Sequence, residues 1–262
     1  MPVTLDEILS STREQVHRLR GRDEDLAREA AATPPPASFR AALRRPLVAV
    51  IAEVKRRSPS AGPIREDLDP TERAELYARH GAAAISVLTD GPYFGGSLAD
   101  LAGAARRAPV PILRKDFIVD ELQVLEARAA GAAAVLLIVR ALDRARLGQL
   151  LRFSGEWGLD ALVEVHTQAE LDVALETGSE IIGVNSRDLD TFRLDTVKAR
   201  EIIGLVPGDR VAVAESGMSA ASDIELAARA GADAVLIGTA LSAASTPGAL
   251  LESFCQVGRH GR

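Results

Sequence analysis

The chain has 262 residues, 47% of them apolar but only 3% aromatic, so a sizeable core is available and Ala, Val, Leu and Ile must fill it. A formal net charge of −6 with no basic face in the pattern argues against a nucleic-acid or membrane-surface protein, and any anionic ligand must be met by a local group of cations. The single cysteine, Cys255, excludes an intrachain disulfide framework and a cysteine metal site, which suits a reducing cytoplasm.

The N-terminus, Met1-Pro2-Val3-Thr4-Leu5-Asp6-Glu7, is polar and acidic, unlike a signal peptide. Thr4 and Glu7 have the spacing of a capping box, and Ile8, Leu9, Val16 and Leu19 follow at roughly helical intervals. Pro34-Pro35-Pro36 interrupts what comes next, so residues 1–45 are expected to form a helical extension packed on one domain built from 46–262. Strands are expected near 47–53, 83–88, 111–114, 133–138, 160–165, 181–184, 211–215 and 234–237, mostly as continuous apolar runs, as strands buried on both faces should be. Asp69-Pro70 opens a helix, and Thr167 to Glu170 and Ser222 to Glu225 fit capping boxes. The longest apolar stretch, Ala129 to Val139, is too short to cross a bilayer.

A phrase recurs. Ala78-Arg79-His80-Gly81-Ala82-Ala83-Ala84-Ile85 is matched around Gly131 and Gly231, and more weakly around Gly178. Each copy suggests a helix end, a C′ glycine and a buried strand. The spacing of roughly fifty residues is that of two compact βα units, so four copies make eight strands. An α/β fold of the closed (β/α)8 TIM-barrel type is therefore expected, with an open doubly wound sheet as the alternative.

Polar residues gather where the apolar runs stop. In a barrel, strand ends far apart in sequence share one mouth, where active sites form. Only three lysines occur, and two of them, Lys55 and Lys115, stand at such ends. Arginine keeps its proton at any working pH, whereas a desolvated lysine can release it, so both are candidate proton donors. Glu53, Glu164 and Glu215 are carboxylates at other ends. They serve either as simple ion-pair partners of Lys55, Lys115 and Arg187 or as acids and bases tuned by those neighbours. Ser216-Gly217 and Gly238-Thr239 follow the last two strands, where such barrels commonly hold phosphate, although either glycine alone fits a tight turn. His166 fits a helix entry better than a catalytic base, Arg56 and Arg57 either steer an anion or are solvated, and Phe94 and Phe117 suit a lid, an apolar wall or ordinary packing. No grouping has convincing metal spacing.

Five of these segments, with a sixth around Tyr93, together resemble one family. Ile51-Ala52-Glu53-Val54-Lys55-Arg56-Arg57-Ser58-Pro59-Ser60, Leu113-Arg114-Lys115-Asp116-Phe117-Ile118, Leu162-Val163-Glu164-Val165-His166, Gly183-Val184-Asn185-Ser186-Arg187-Asp188-Leu189 and Ala214-Glu215-Ser216-Gly217 look like the signature segments of indole-3-glycerol phosphate synthases, and Tyr93 to Leu98 also fits. The likeness runs over nearly the whole chain, and its first segment is highly specific among phosphate-binding barrels.

The resemblance implies a carboxy-lyase of tryptophan biosynthesis without organic cofactor or metal. Its partner would be a small-molecule phosphosugar–anthranilate substrate, 1-(2-carboxyphenylamino)-1-deoxyribulose 5-phosphate, and not a nucleic acid or membrane; monomer and homo-oligomer stay open. It also implies roles. Lys115 would be the general acid for ring closure and Glu164 its partner near developing charge. Lys55 and Glu53 would serve carboxylate binding and dehydration. Asn185 and Arg187 would position the substrate, and Glu215 and Ser216 would complete the polar wall. Ser58, Gly217, Gly238 and Thr239 would hold the phosphate, and Phe94, Leu113, Phe117 and Leu136 would enclose the ring. Two departures, the run Gly238-Thr239-Ala240-Leu241-Ser242-Ala243-Ala244 and Ser186 where Asn is common, fit a copy serving a specialised pathway. A phosphoribosylanthranilate isomerase-like barrel and a non-catalytic phosphosugar-binding barrel are the competing expectations.

Overall fold

The computed structural model describes residues 4–59 and 62–261; Met1, Pro2, Val3 and Ser60 of the first signature segment lie outside them. Eight parallel strands close into a barrel: β1 (Ala49–Val54), β2 (Ala84–Leu88), β3 (Ile112–Lys115), β4 (Ala134–Ile138), β5 (Asp160–Val165), β6 (Ile181–Asn185), β7 (Val211–Glu215) and β8 (Ala234–Ile237). Each pairs with its neighbours in sequence, and β1 pairs with β8 to shut the ring. The closed form expected from the repeats is the one observed. The first strand starts two residues later than expected, because Leu47 is drawn into an isolated antiparallel bridge with Gly258.

The recurring glycines explain the regularity. Gly81, Gly131, Gly178 and Gly231 stand two residues after the ends of helices α4 (Pro70–Arg79), α7 (Glu121–Ala129), α9 (Gln168–Glu176) and α11 (Ala221–Arg229), with φ of 95°, 88°, 85° and 106°. That left-handed turn lets the next N–H groups close on the last carbonyls, as in Ala82 N–H to Tyr77 O and Gly81 N–H to Ala78 O. The chain then drops directly into β2, β4, β6 and β8. The fifty-residue period thus marks every second strand.

The helix entries mostly follow their caps. Asp69 accepts from the Thr71 and Glu72 N–H groups with Pro70 at the first helical position, and Thr4 and Glu7 close a reciprocal box at the start of α1 (Leu5–Leu19). The expected box from Ser222 to Glu225 is displaced. Helix α11 already starts at Ala221, and the Asp223 carboxylate reaches back to the N–H groups of Ser219 and Ala220. At α9, Thr167 caps Glu170 N–H, but the Glu170 carboxylate accepts from His166 N–H, one residue earlier than a box requires.

Alternation along the strands separates two cores. Val50, Ala52 and Val54 of β1, with Val163 and Val165 of β5, face the helices, whereas Ala49 and Ile51, with Leu162, Val213 and Leu236, fill the barrel. The extension is helical, as expected. Phe39 and Leu43 of α3 (Phe39–Leu43), both fully buried, join the barrel-interior core. Hydrogen bonds from Arg40 N–H and the Ser38 hydroxyl to Asp160, at the start of β5, set α3 at the N-terminal end of the strands. Helix α2 (Asp23–Ala32) packs Leu26 and Ala30 on Leu122 and Leu125 of α7, and Leu5, Ile8 and Leu9 of α1 reach the same interior core at its other end, beside Phe117.

Candidate active site

Counting by twos along each strand from the barrel interior shows why distant residues meet. Glu53, Lys115, Glu164 and Glu215 all continue the inward-facing sets, such as Ala49-Ile51-Glu53 on β1 and Val211-Val213-Glu215 on β7. They end the apolar filling at the C-terminal face. Above them opens a cavity of about 520 Å³, whose lining includes Glu53, Lys55, Lys115, Glu164, Asn185 and Glu215.

Lys115 lies at the centre of the charge. Its Nζ is 3.2 Å from Glu164 Oε2 and 3.5 Å from Glu215 Oε2, while Lys55 Nζ is 2.7 Å from Glu53 Oε1. Burial works against the Lys115 ammonium, but the charges of Glu164, Glu215 and Glu53 outweigh it and hold the group above the ordinary lysine range. The expectation that desolvation loosens this proton is therefore corrected: the carboxylates win. Burial likewise works against ionisation of Glu53 and Glu164. Lys55 and Lys115 reverse it for Glu53, and Lys115, His166 and an Asn185 hydrogen bond reverse it for Glu164, so both lie below the usual carboxylate range. Glu215 is different. Burial and the neighbouring Glu164 charge push it up to about 8. Among the described residues its two buried oxygens have no hydrogen-bond partner, and Lys115 at 3.5 Å offsets only part of the cost of burying its anion. At neutral pH, Glu215 is the protonated carboxyl of the group, and Glu53 and Glu164 are the ionised carboxylates beside Lys55 and Lys115. Lys55, Lys115 and Arg187 are the cations this wall offers an anion, with Asp90 and Asp116 also lining it.

Two glycines make room for these acids. A Cβ at Gly183, paired with Glu164 across β5 and β6, would stand 2.1 Å from Glu215 Oε1. A Cβ at Gly238 would stand 2.1 Å from Glu53 Oε1. Gly238, expected as a phosphate ligand, lacks a side chain where one would overlap Glu53. Gly183 was not singled out, because a glycine inside an apolar run carries no signal without the neighbour it accommodates.

The rest of the rim comes from loops. Asn185 Oδ1 accepts from Arg187 N–H, and Arg187 donates to Phe192 O, which fixes the guanidinium over the mouth. Ser216 has φ of 64° and Gly217 of 73°, a left-handed pair directly after β7; held strain of this kind at a non-glycine residue is concentrated at functional sites. Thr239 begins the short helix α12 (Thr239–Ala243), whose first N–H groups have no side-chain cap. Ser58, Gly217, Gly238 and Thr239 all line the cavity. Phe94 and Phe117 face each other at 6.3 Å between ring centroids and line it with Leu136.

Leu113 does not line it. It is fully buried two residues below Lys115, one layer deeper in the barrel, so its expected place in the ring pocket is corrected. Arg56 is neither a steering group nor solvated, for it forks onto Asp100 at 2.9 and 3.0 Å and donates to Gly95 O. Arg57 donates to Pro92 O. Leu5 and Ile8 of α1 line the cavity and were missed; apolar residues at helical spacing suggest only packing.

The closed barrel, with acid–base groups on four strand ends around one mouth, defines a barrel of the enzyme type. The indole-3-glycerol phosphate synthase family matches residues 5–254. The chain belongs to that family. Indole-3-glycerol phosphate synthase 2 of Streptomyces coelicolor is 51% identical over 229 residues, covering 87% of this chain and 89% of that protein. Indole-3-glycerol phosphate synthase of Opitutus terrae is 45% identical, covering 97% and 99%. Among solved structures, thiamine phosphate pyrophosphorylase from Pyrococcus furiosus superposes with a TM-score of 0.60 at 17% identity, over 81% of this chain and 95% of that one, a likeness of fold alone. Among the described residues, no helix is long and apolar enough to cross a membrane.

Proposed function

We propose that the chain converts 1-(2-carboxyphenylamino)-1-deoxyribulose 5-phosphate to indole-3-glycerol phosphate by ring closure, loss of carbon dioxide and dehydration. The observation that carries this reading is the largely buried Lys115 ammonium, set between Glu164 and Glu215 at the floor of a cavity with an aromatic wall.

Ring closure disrupts the aromaticity of the anthranilate ring as the new carbon–carbon bond forms, so the ketone oxygen needs a proton as it becomes an alkoxide. Lys115 supplies it. Its carboxylate neighbours keep the ammonium loaded until that oxygen grows basic, which suits a donor better than a lysine already stripped of charge. Glu164, ionised, faces the charge that develops on the anilino nitrogen. Lys55 and Arg187 hold the substrate carboxylate, with Asn185 positioning Arg187, until carbon dioxide leaves and aromaticity returns. Glu53, paired with Lys55, moves the proton in dehydration. Glu215, neutral, and Ser216 complete the polar wall. Ser58, Gly217, Gly238 and Thr239 take the phosphate at the β7 and β8 ends, and Phe94, Phe117 and Leu136 enclose the ring. We assign the work to a cytoplasmic enzyme of tryptophan biosynthesis.

The test is incubation of the pure protein with that substrate while indole fluorescence is followed. Turnover supports the assignment. Absence of product, under conditions where a relative turns over, ends it. Turnover of phosphoribosylanthranilate instead would give the isomerase, and tight calorimetric binding without turnover a phosphosugar-binding barrel.

A further inference from the structure

His166 follows β5 directly and is buried, with its imidazole between two carboxylates. Nδ1 is 3.2 Å from Glu170 Oε2, and Nε2 is 3.4 Å from Glu164 Oε1. The Glu170 oxygen also accepts His166 N–H at 2.7 Å, so backbone and ring are gripped by the same atom. Glu164 is thereby flanked on both sides, by Lys115 at Oε2 and by His166 at Oε1. The chemistry of the ring decides its state. A neutral imidazole donating from Nδ1 to Glu170 turns a lone pair from Nε2 toward an ionised carboxylate, which is repulsive. Only the imidazolium makes both contacts favourable.

We propose that His166, locked by Glu170, is a positioning residue that holds Glu164 by its second oxygen and keeps a positive charge beside it after Lys115 has given up its proton. Without that charge, the moment Lys115 turns neutral is the moment Glu164 would capture a proton and cease to stabilise the anilino nitrogen. The groups facing the ring agree. Burial disfavours the imidazolium, but Glu170 and Glu164 outweigh it, while Arg140, in the turn after β4, opposes them more weakly; the pKa is raised. The placement of Nε2 beside Glu164 Oε1, a 3.4 Å charge contact without a hydrogen bond, stands on geometry, whereas its use in turnover rests on the function proposed above.

Two arms separate these parts. In the first, the four histidines of the 15N-labelled protein are titrated by NMR, His166 being assigned by its absence in His166→Gln. His166 should titrate above an ordinary histidine of about 6.5, and lower in Glu170→Gln than in the parent protein. In the second, kcat and KM of His166→Gln and Glu170→Gln are measured against pH. His166→Gln should lose roughly tenfold or more in kcat with KM within about twofold. The acid limb of its kcat profile should move to higher pH, because Glu164 is protonated more easily. Glu170→Gln should move the limb the same way by less. His166 titrating at or below the ordinary value overturns the proposal, as does a loss of kcat with the acid limb unmoved, the mark of a merely structural side chain. If the parent protein fails to turn over the substrate, the reaction assignment falls, and the titration alone decides the grip on Glu164.

Discussion

Arg114 and Lys115 are neighbours on β3 and face opposite ways. Arg114 turns outward to a finished network. Its Nε donates to Thr89 Oγ1 at 3.1 Å, one terminal nitrogen donates to Gln123 O at 2.7 Å, and the other donates to Asp116 Oδ2 at 3.0 Å, with Glu126 at 3.3 Å. Lys115 turns inward to an unfinished one. Among the described residues neither Glu215 oxygen has a hydrogen-bond partner, although Oε2 lies 3.5 Å from Lys115 Nζ, and the Ser86 hydroxyl on the inner face of the barrel has none either. Both clusters are buried and both contain acids. The difference is that every nitrogen of the Arg114 guanidinium is hydrogen-bonded, which holds a loop and a helix start in place, while the Lys115 cluster is left able to bind something and to exchange protons.

The sharpest way to break that comparison is to remove each cation in turn. Lys115→Ala should lower kcat/KM by about 10²–10⁴-fold or more while the circular dichroism spectrum is kept, and Lys115→Arg should fail too, since guanidinium does not release its proton. Arg114→Ala should do the opposite. Stripping one side of a buried network costs about 3–5 kcal/mol, read as a lower urea midpoint, with less change in turnover per folded molecule. If Lys115→Ala works normally, or if Arg114→Ala leaves the midpoint unchanged, the division between the two clusters is wrong.

This contrast also shows what the sequence held. Arg114 and Lys115 sit in one motif, and a string of letters does not say which is inside. Parity along the strand does, once the barrel register is known. The fold itself was legible because four glycine phrases recur at a period that only paired βα units satisfy, and continuous apolar runs mark strands covered on both faces. The strand-end acids and lysines were legible for the same reason. Leu113 was misplaced because depth within the barrel, unlike facing, does not repeat along the chain. Gly183 and the α1 wall were missed because their significance lies in which neighbour they meet. The lysine proton was misjudged because the number of carboxylates within reach of one ammonium is a property of packing.

A middle-sized effect is expected from the small residues under the acids. Gly183→Ala and Gly238→Ala should each force a carboxylate, Glu215 or Glu53, off its position, because the new methyl would overlap it. Misplacement of that kind should cost roughly ten- to a hundred-fold in kcat. Steady-state kinetics check it; unchanged kcat in both would mean that these carboxylates need no fixed place.

The smallest effect is thermodynamic. Glu215 is protonated in the folded protein up to about 8, whereas in the unfolded chain it ionises near the ordinary carboxylate value of 4.5. The folded state therefore holds the extra proton between these values, so the stability this group contributes is fully present below 4.5 and is lost as pH rises through 8. Glu215→Gln, neutral at every pH, should flatten that loss. Melting temperatures of the two proteins should draw apart in favour of the variant from about pH 5 to 8, and parallel curves would refute the protonated assignment.

The segment before β1 touches the barrel at both ends, closing its base with α3 and contributing to the cavity wall with α1. These are separable duties strung on one thread. A chain trimmed back to the start of α2 would keep its base sealed yet lose part of its upper rim, so grip on the aromatic end of a ligand should slacken before the scaffold does. Evolution could therefore retune ring preference from the first twenty or so residues without disturbing any strand.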